Sequence, residues 1–413
     1  MYKIFNTFFD LMTGFNIKGE LIKVLRFDEM TAEEIQRSQH EKFEVLKEYA
    51  CKSEIYKTYY NESYDHFPVI TRDLLKKNYE KFLTGIRKPY MIQHSSGSTS
   101  NPISICVSKE MLLAKRISHQ KMLHWYGLKR ESGEFKIGGL KQDLKTQLYH
   151  HFKNKKYYNS YQIREDNIPE LIKRYNHFKP PVLYGYPSAI YHFVRMAELK
   201  SIKLHVPDII VTHAENLYDY IESKLMEHFP ASKIVNQYWS TEANIAVTCP
   251  HGRLHVDEDT VIGEIINQNK EGIGDLLITN LYSYDFPIIR YMIGDRVKLS
   301  EKTCECGRKT KVIEYIEGRE IEMLALDDGR KVPLTAVYLA RYSQNILAFH
   351  LTYVKKEKKI IFEYLPIDNY QEIDKSTIIK TIKKDFDLET EFRVLSGIEY
   401  TNGGKYNRLT IIN

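Results

Sequence analysis

The sequence predicts an α/β protein with a large N-terminal α/β domain built on mixed sheets and a small α+β C-terminal domain. Between about residues 90 and 300, short β-rich runs alternate with helical stretches, and several runs end in a Gly, Ser or Thr turn that opens a helix. Such alternation is typical of sheets that carry their sites at strand ends. After Gly318 the pattern changes to strands around one amphipathic helix. We therefore expect one domain at 1–318 and a second at 319–413.

Length and composition fit a soluble globular protein with a sizeable core. The 413 residues are 43% apolar and 28% charged, as in ordinary globular domains. The 60 basic and 54 acidic residues leave a net charge of +6, which is too small and too scattered to indicate a nucleic-acid-binding protein. No apolar run approaches a membrane span and no signal peptide is evident, so we expect a cytoplasmic protein. The 31 Tyr and 18 Phe suit a core or a homodimer interface equally.

The predicted elements follow from local patterns. Thr31 and Glu34 form a capping box that begins a helix extending to about residue 50. A second helical stretch is expected over Thr71–Phe82. The alternating region gives strands at Val182–Tyr184, Ile209–Thr212, Ile234–Tyr238 and Leu276–Thr279, with helices at Ser188–Leu199 and Leu217–Phe229. The C-terminal domain gives strands at Phe349–Val354, Ile360–Tyr364 and Phe392–Leu395 and a helix at Glu372–Phe386.

A loop rich in hydroxyl side chains is the most informative local feature. It comprises Ser95, Ser96, Gly97, Ser98 and Thr99, and Pro102 closes the run. Such a loop can turn backbone N–H groups inward beside hydroxyl donors, which suits a polyphosphate. It is not a Walker A loop, because no GxxxxGK[ST] pattern is present. Taken alone, such a Ser/Gly run is more often an ordinary surface loop.

Four further segments follow this loop along the chain. The run from Tyr238 to Glu242 offers aromatic faces for a base, hydroxyls for a phosphate and a carboxylate for Mg²⁺. Asp295 follows a glycine turn, where its carboxylate could accept both hydroxyls of a ribose. Arg319 lies at the domain junction, and Lys405 follows two glycines near the C-terminus. Each segment alone also fits a plain turn or helix cap.

In this order the segments resemble the adenylate-forming (ANL) superfamily, in the branch of phenylacetate–CoA ligases and their capsule-biosynthesis (CapK-like) relatives. The resemblance covers essentially the whole chain. Tyr184–Ser188 and Thr212–Glu215 are similar to the family's "GxPS" and "GxE" elements. Phe286–Tyr291, followed by Gly294 and Asp295, is similar to its "PliRYRTGD" motif.

The resemblance implies a two-step reaction, in which ATP and a carboxylic acid give an acyl-adenylate and a thiol, usually that of coenzyme A, then displaces AMP. It also implies that the small domain is mobile and rotates between the steps. By this resemblance, Ser95–Thr99 would bind the β/γ-phosphates and Tyr238 would stack on adenine. Thr241 would contact the α-phosphate, and Glu242 would hold Mg²⁺. Asp295 would bind the ribose, with Arg319 nearby. Glu215, Trp239 and Ser240 complete the implied nucleotide-binding set. Lys405 would bridge the carboxylate and the α-phosphate during adenylation only.

The chain departs from the family pattern at several positions. Ser100 stands where the loop usually has glycine, and Ile103 where many members have lysine. Trp239 replaces the usual glycine and could close part of the acyl pocket, favouring a small or polar acid. Ile321 falls where the hinge aspartate is usual, which weakens the expectation of coenzyme A as acceptor. Two alternatives therefore stay open: acyl transfer to an amine or hydroxyl in surface-polysaccharide biosynthesis, and a nucleotide-binding scaffold without catalysis.

Two clusters of cysteine and histidine predict a metal site. Cys249 and His255 precede Cys304 and Cys306 by about fifty residues. Soft sulfur and imidazole ligands suit tetrahedral zinc, and four protein ligands would make the zinc structural. His251 is the substitute for His255. Five cysteines without an export signal argue against a disulfide framework, and reduced structural thiols are the alternative to zinc.

Overall fold

A computed structural model describes residues 2–94, 103–138, 143–159, 167–319, 323–325, 331–333, 346–366, 375–395 and 409–412. Within this part of the chain, one mixed sheet of eleven strands organises residues 134–319. Its strands, in chain order, are β3 (Glu134–Gly138), β4 (Lys155–Asn159), β5 (Val182–Gly185), β6 (Ile209–His213), β7 (Lys233–Trp239), β8 (Asn244–Thr248), β9 (Leu254–Val256), β10 (Val261–Ile266), β11 (Gly274–Asn280), β12 (Tyr291–Leu299) and β13 (Val312–Arg319). A separate antiparallel pair, β1 (Met91–His94) and β2 (Ser104–Val107), flanks residues 95–102.

The sheet has a parallel half and an antiparallel half that meet at β7. Strands β4, β3, β5, β6 and β7 lie side by side in parallel, whereas β7 pairs with β8 in the antiparallel sense. The antiparallel half continues through β9, β13, β12, β11 and β10. The predicted α/β class with mixed pairing is therefore confirmed. Since ligand sites in such sheets lie beyond the carboxyl ends of parallel strands, we expect the ligand site at the carboxyl end of β7.

Helices cover both faces of the sheet and extend it toward the N-terminus. They are α1 (Tyr2–Thr13), α2 (Ile17–Phe27), α3 (Ala32–Ala50), α4 (Arg72–Lys77), α5 (Tyr79–Phe82), α6 (Lys109–Trp125), α7 (Leu144–Phe152), α8 (Ile168–Phe178), α9 (Pro187–Leu199) and α10 (Asp219–His228). Helix α6 packs Met122 and Leu123 on β5, β6 and β7. Helices α8, α9 and α10 contribute to a second apolar cluster with β3, β5 and β6. No helix among the described residues is long and apolar enough to cross a membrane.

The N-terminal predictions are largely confirmed. Helix α3 begins with the predicted capping box, since the backbone N–H of Glu34 donates to Thr31 Oγ1 at 3.3 Å and the N–H of Thr31 donates to Glu34 Oε2 at 2.8 Å. The helix predicted over Thr71–Phe82 is instead two short helices, α4 and α5. They separate at Asn78, whose φ and ψ of −121° and 26° are not helical.

The segment before β1 belongs to the same core as the antiparallel half of the sheet. Phe67, Ile70 and Phe82 are buried in one cluster with Phe286 and Tyr291. The backbone N–H of Ile70 donates to Arg290 O at 3.0 Å, and Ile70 O accepts from Met292 N at 2.9 Å. The N-terminal segment is thereby fixed to the start of β12.

The C-terminal region folds as the predicted strands and helix. Strands β16 (Ile346–Val354), β17 (Lys359–Pro366), β18 (Glu389–Val394) and β19 (Leu409–Ile412) form a sheet of order β18-β17-β16-β19, and helix α11 spans Lys375–Phe386. Ile378 and Ile382 of α11 are buried against Phe362 of β17. A short pair, β14 (Met323–Ala325) and β15 (Lys331–Pro333), lies between the two sheets in sequence. Strand β13 runs through residue 319, and the domain boundary at 318/319 stays a prediction.

Candidate active site

The residues after β7 form a tight turn into β8. The Ser240 backbone N–H donates to Ala243 O at 2.8 Å, and Ser240 Oγ accepts from the N–H groups of Glu242 at 3.2 Å and Ala243 at 3.1 Å. The Ser240 hydroxyl therefore shapes the turn. Thr241 and Glu242 are held at the tip of this turn, at the carboxyl end of β7.

Tyr238 and Asp295, distant in sequence, meet across the sheet. The phenol of Tyr238 donates to Asp295 Oδ2 at 2.5 Å. Asp295 lies on β12 after Gly294, which adopts a left-handed φ of 91° that glycine tolerates. Asp295 also pairs in register with Arg319 of β13. The side-chain hydrogen bond brings Tyr238 to Asp295, and the strand register brings the backbone of Arg319 beside Asp295.

Lys115 is a residue that the sequence analysis missed, and it lies directly beneath the turn. Its Nζ donates to Thr241 O at 2.8 Å and to Gln93 Oε1 at 3.1 Å. Burial lowers the pKa of this amine to about 8, against the opposing attraction of Glu242. A lone lysine in an amphipathic helix gives no sequence signal, so only the fold places this cation beside Glu242.

The Glu242 carboxylate is buried and oriented through its own backbone. Its carbonyl accepts from Asn280 Nδ2 at 2.7 Å, and the residue is 5% exposed. Its negative charge acts on the buried ammonium group of Lys115. A carboxylate held at the tip of this turn is a suitable ligand for Mg²⁺.

Glu215 lies at the ends of two further parallel strands. Its Oε2 accepts from the backbone N–H of Ser188 at 3.2 Å, so the carboxylate lies at the N-terminus of α9, where the helix dipole favours negative charge. A Cβ on Gly185 would lie 2.3 Å from the carbonyl oxygen of Ile137, which explains the glycine in this element. Glu215 thus stabilises the local loop geometry in addition to its predicted place in the nucleotide site.

Two of the predicted elements lie outside the described residues. They are the loop from Ser95 to Thr99 and the C-terminal Lys405. Strands β1 and β2 bracket the loop, and β19 follows Lys405. The side chain of Arg319 is likewise outside the description, although its backbone pairs with Asp295. Ile103 is 2% exposed, so this position contributes to the core and carries no cation.

A buried polar cluster lies between α6 and the sheet, behind Trp239. His119 Nε2 lies 3.0 Å from Glu134 Oε1, and Gln237 Nε2 lies 3.5 Å from His119 Nδ1. The ring of Trp239 meets the His119 ring edge-on, with centroids 6.2 Å apart. Burial lowers the pKa of His119 despite the attraction of Glu134, so the imidazole is neutral near pH 7.

Two lysines compensate the charge of Glu134 in this cluster. Lys155 Nζ lies 2.6 Å from Glu134 Oε1, and Lys136 Nζ lies 3.0 Å from Oε2. Burial alone would raise the pKa of Glu134, but Lys136, Lys155 and His119 hold it well below its usual range. The carboxylate is therefore charged and paired.

The predicted cysteine and histidine cluster is brought together. The ligand atoms of Cys249, His255, Cys304 and Cys306 all lie within 4.8 Å of one another. The sulfurs of Cys249 and Cys304 are 3.7 Å apart, and Cys306 Sγ lies 3.3 Å from His255 Nε2. Tetrahedral zinc with bonds of about 2.3 Å to sulfur requires separations of about 3.8 Å between sulfurs, so these residues fit the ion. His255 Nδ1 is hydrogen-bonded to Thr310 Oγ1 at 2.8 Å, which orients the ring.

The structure distinguishes between the two candidate histidines. His255 is 1% exposed and within the cluster. His251 is exposed and lies 3.8 Å from Glu305. The predicted preference for His255 is consistent with this placement.

Comparisons with solved structures identify the fold. The fold is that of AMP-forming ligases: a solved structure of 2-hydroxyisobutyryl-CoA ligase with a bound acyl-AMP matches with a TM-score of 0.75 at 12% identity, over 94% of this chain and 91% of that one. MatB from Rhodopseudomonas palustris, solved with ATP bound, matches with a TM-score of 0.52 at 13% identity, over 76% of this chain and 66% of MatB.

A curated sequence relative indicates the branch. Protein CapK of Staphylococcus aureus is 28% identical over 94% of each chain. No family model matches the chain. The predicted resemblance to the adenylate-forming superfamily, in its CapK-like branch, is thereby confirmed.

Proposed function

We propose that this chain is an AMP-forming ligase that activates a carboxylic acid with ATP as an acyl-adenylate and transfers the acyl group to a thiol, with coenzyme A as the first acceptor to test. The observation that carries the proposal is the convergence of Tyr238, Asp295 and Glu242 at the carboxyl end of β7. An aromatic face, a ribose acceptor and a metal ligand in one place match the three parts of ATP–Mg²⁺.

The chemistry follows from the charges at this point. The acid carboxylate attacks the α-phosphorus of ATP, a bond forms between the carboxylate oxygen and phosphorus, and pyrophosphate leaves. Both reactants are anionic, so preplaced cations lower the barrier, and one such group is typically worth about 3 kcal/mol, or 10²–10³ in rate. Lys115, held 2.8 Å from Thr241 O, supplies a fixed cation beneath the turn.

We assign the second protein cation of the adenylation step to Lys405. As a flexible side chain, it would neutralise the carboxylate and α-phosphate during adenylation and then leave. Mg²⁺ held by Glu242 would neutralise the phosphate oxygens. The loop of Ser95–Thr99 would enclose the β- and γ-phosphates through backbone N–H groups and hydroxyls.

The first experiment measures AMP and pyrophosphate release from ATP–Mg²⁺ with pooled acids, each pool with and without coenzyme A. Turnover that needs coenzyme A supports the thiol acceptor. Acyl-adenylate formation that ignores coenzyme A but responds to amines or hydroxylated sugars would support the surface-polysaccharide alternative. ATP binding without turnover in any pool would favour the non-catalytic scaffold.

We also propose that the four-residue cluster around Cys249 holds a structural zinc ion. The support is the separation of the ligand atoms and the Thr310 contact that orients His255. Because all four positions are protein ligands, the ion would join β8, β9 and the loop before β13 and would take no part in the reaction. Metal analysis of untagged protein tests this, and less than about a tenth of a zinc per chain would contradict a four-ligand site.

A further inference from the structure

Within the part of the chain that the structure describes, two buried polar atoms on β7 have no hydrogen-bond partner, and both belong to side chains that face α6. Gln237 is 1% exposed, and its Oε1 has no hydrogen-bond partner in the described structure. The indole Nε1 of Trp239 is likewise buried and unpaired among the described residues. Leaving a buried acceptor or donor unsatisfied costs about 1–3 kcal/mol each. A polar group bound beside these two atoms, which are two residues apart on one strand face, would therefore be stabilised.

The surroundings fix which atom accepts and which donates. Glu134 is a charged carboxylate, so His119 Nε2 carries the proton that bonds to it at 3.0 Å. In the neutral ring, Nδ1 then carries the lone pair, and it accepts from Gln237 Nε2 at 3.5 Å. This orientation leaves the carbonyl oxygen of Gln237 as an acceptor. The indole N–H of Trp239 can only donate.

Both side chains also adjoin the reaction site. Trp239 lies directly after Tyr238 and two residues before Thr241. Gln237 and Trp239 both contact His119, through an amide nitrogen and through ring edges 6.2 Å apart at the centroids. A group bound beside them would therefore lie next to the turn that carries Thr241 and Glu242.

Resting on the proposed ligase function, we infer that the substrate is a short hydroxy acid, whose hydroxyl donates to Gln237 Oε1 and accepts from Trp239 Nε1. A hydroxyl is the smallest group that both donates and accepts. An ammonium group would leave the indole unpaired, because it cannot accept, and a ketone would leave Gln237 unpaired. An alkyl or phenyl group would leave both unpaired. The bulk of Trp239 restricts the acid to a short chain.

The test uses stable acyl-adenylate analogues, so that it depends on binding and not on turnover. The probes are N-acylsulfamoyl adenosines that carry propanoyl, 2-hydroxypropanoyl or 3-hydroxypropanoyl groups, and calorimetry on the full chain gives their dissociation constants. We expect one hydroxylated probe to bind at least about tenfold more tightly than the propanoyl probe, since a site with unpaired polar groups rejects an analogue that lacks the hydroxyl. Equal binding, or tighter binding of the propanoyl probe, would overturn the inference while leaving the ligase function intact.

Two variants assign the selectivity to the named atoms. Gln237→Met and Trp239→Phe each remove one polar atom, and each should reduce the preference for the hydroxylated probe over the propanoyl probe to about threefold or less. The other tryptophan, Trp125, provides the matched control, because its Nε1 already donates to Asp28 Oδ2 at 2.5 Å. Trp125→Phe should leave the preference unchanged.

The outcomes distinguish a failure of this inference from a failure of the proposed ligase function. A preference that survives both variants would overturn the assignment of Gln237 and Trp239. If either variant fails to fold, the other variant and the probe series on the unmodified chain still test whether the site recognises a hydroxyl group. Binding of none of the three analogues, with ATP still bound, would overturn the ligase proposal and this inference together.

Discussion

Replacing Lys115 by methionine should make the protein more stable at neutral pH and impair adenylation. The amine is largely buried, and its pKa falls from 10.5 to about 8. At pH 7 it is still charged, so the folded chain bears the cost of that burial. Each pKa unit corresponds to about 1.4 kcal/mol, so the shift corresponds to about 3.4 kcal/mol. Methionine has a similar length and carries no charge.

The net change also includes two lost hydrogen bonds. Lys115 donates to Thr241 O and Gln93 Oε1, and each bond contributes about 1 kcal/mol. At pH 7 the variant should therefore be more stable by about 1.4 kcal/mol. Because the folded chain binds this proton less tightly, the unfolded state carries more protons between pH 8 and 10.5, and wild-type stability rises with pH across that window. From pH 7 to pH 10 the difference in unfolding free energy between the two proteins should change by about 2.5 kcal/mol in favour of the wild type. The wild type should therefore be the more stable protein at pH 10.

Urea denaturation at pH 7 and pH 10 measures this change, and pyrophosphate release measures the loss of activity. We expect the adenylation rate of Lys115→Met to fall by about 10²–10³. Lys109→Met on the same helix is the control, since Lys109 Nζ lies over the Phe15 ring at 5.4 Å. It should change neither the pH dependence nor the rate. A stability difference that does not vary with pH, or an unchanged rate, would refute the role assigned to Lys115.

Three further predictions concern the other parts of the site. Asp295→Ala should weaken ATP binding by about tenfold or more, as the loss of a charged hydrogen-bond partner implies; calorimetry that finds unchanged affinity would reject the ribose assignment. Lys405→Ala should block adenylation but leave thiolysis of a preformed acyl-adenylate largely intact, and an equal loss in both half-reactions would count against its role. Cys306→Ser should lower both the zinc content and the melting temperature, whereas the control His251→Ala should keep the metal, with both measured by elemental analysis and thermal unfolding.

Local signals predicted elements well, because their causes are local. The Thr31–Glu34 capping box and the alternating strands depend on neighbours in sequence, and both are confirmed. The break at Asn78 was not predicted, since the apolar pattern continues across it. The spacing of the cysteine pairs predicted that Cys249, His255, Cys304 and Cys306 lie together, because few ligand sets combine such residue types.

The site depends on contacts that no spacing reports. Tyr238 and Asp295 are 57 positions apart, and only the motif resemblance placed them together before the structure did. The sequence did not indicate Lys115, because a single buried lysine on a helix cannot be distinguished by pattern from a solvated lysine. The unpaired atoms of Gln237 and Trp239 are invisible to sequence, since satisfaction of a polar group is a property of packing.

The attachment of Ile70 to β12 has a practical consequence for protein engineering. Phe67 and Phe82 share one core with Phe286 and Tyr291, so the first 94 residues are not a removable module. A shortened chain that starts near β1 would lack Phe67 and Phe82 and would expose Phe286 and Tyr291 to water, and aggregation during expression is the expected result. Trimming for crystallisation should therefore begin within α1, where Phe8 and Leu11 are already 58% and 77% exposed.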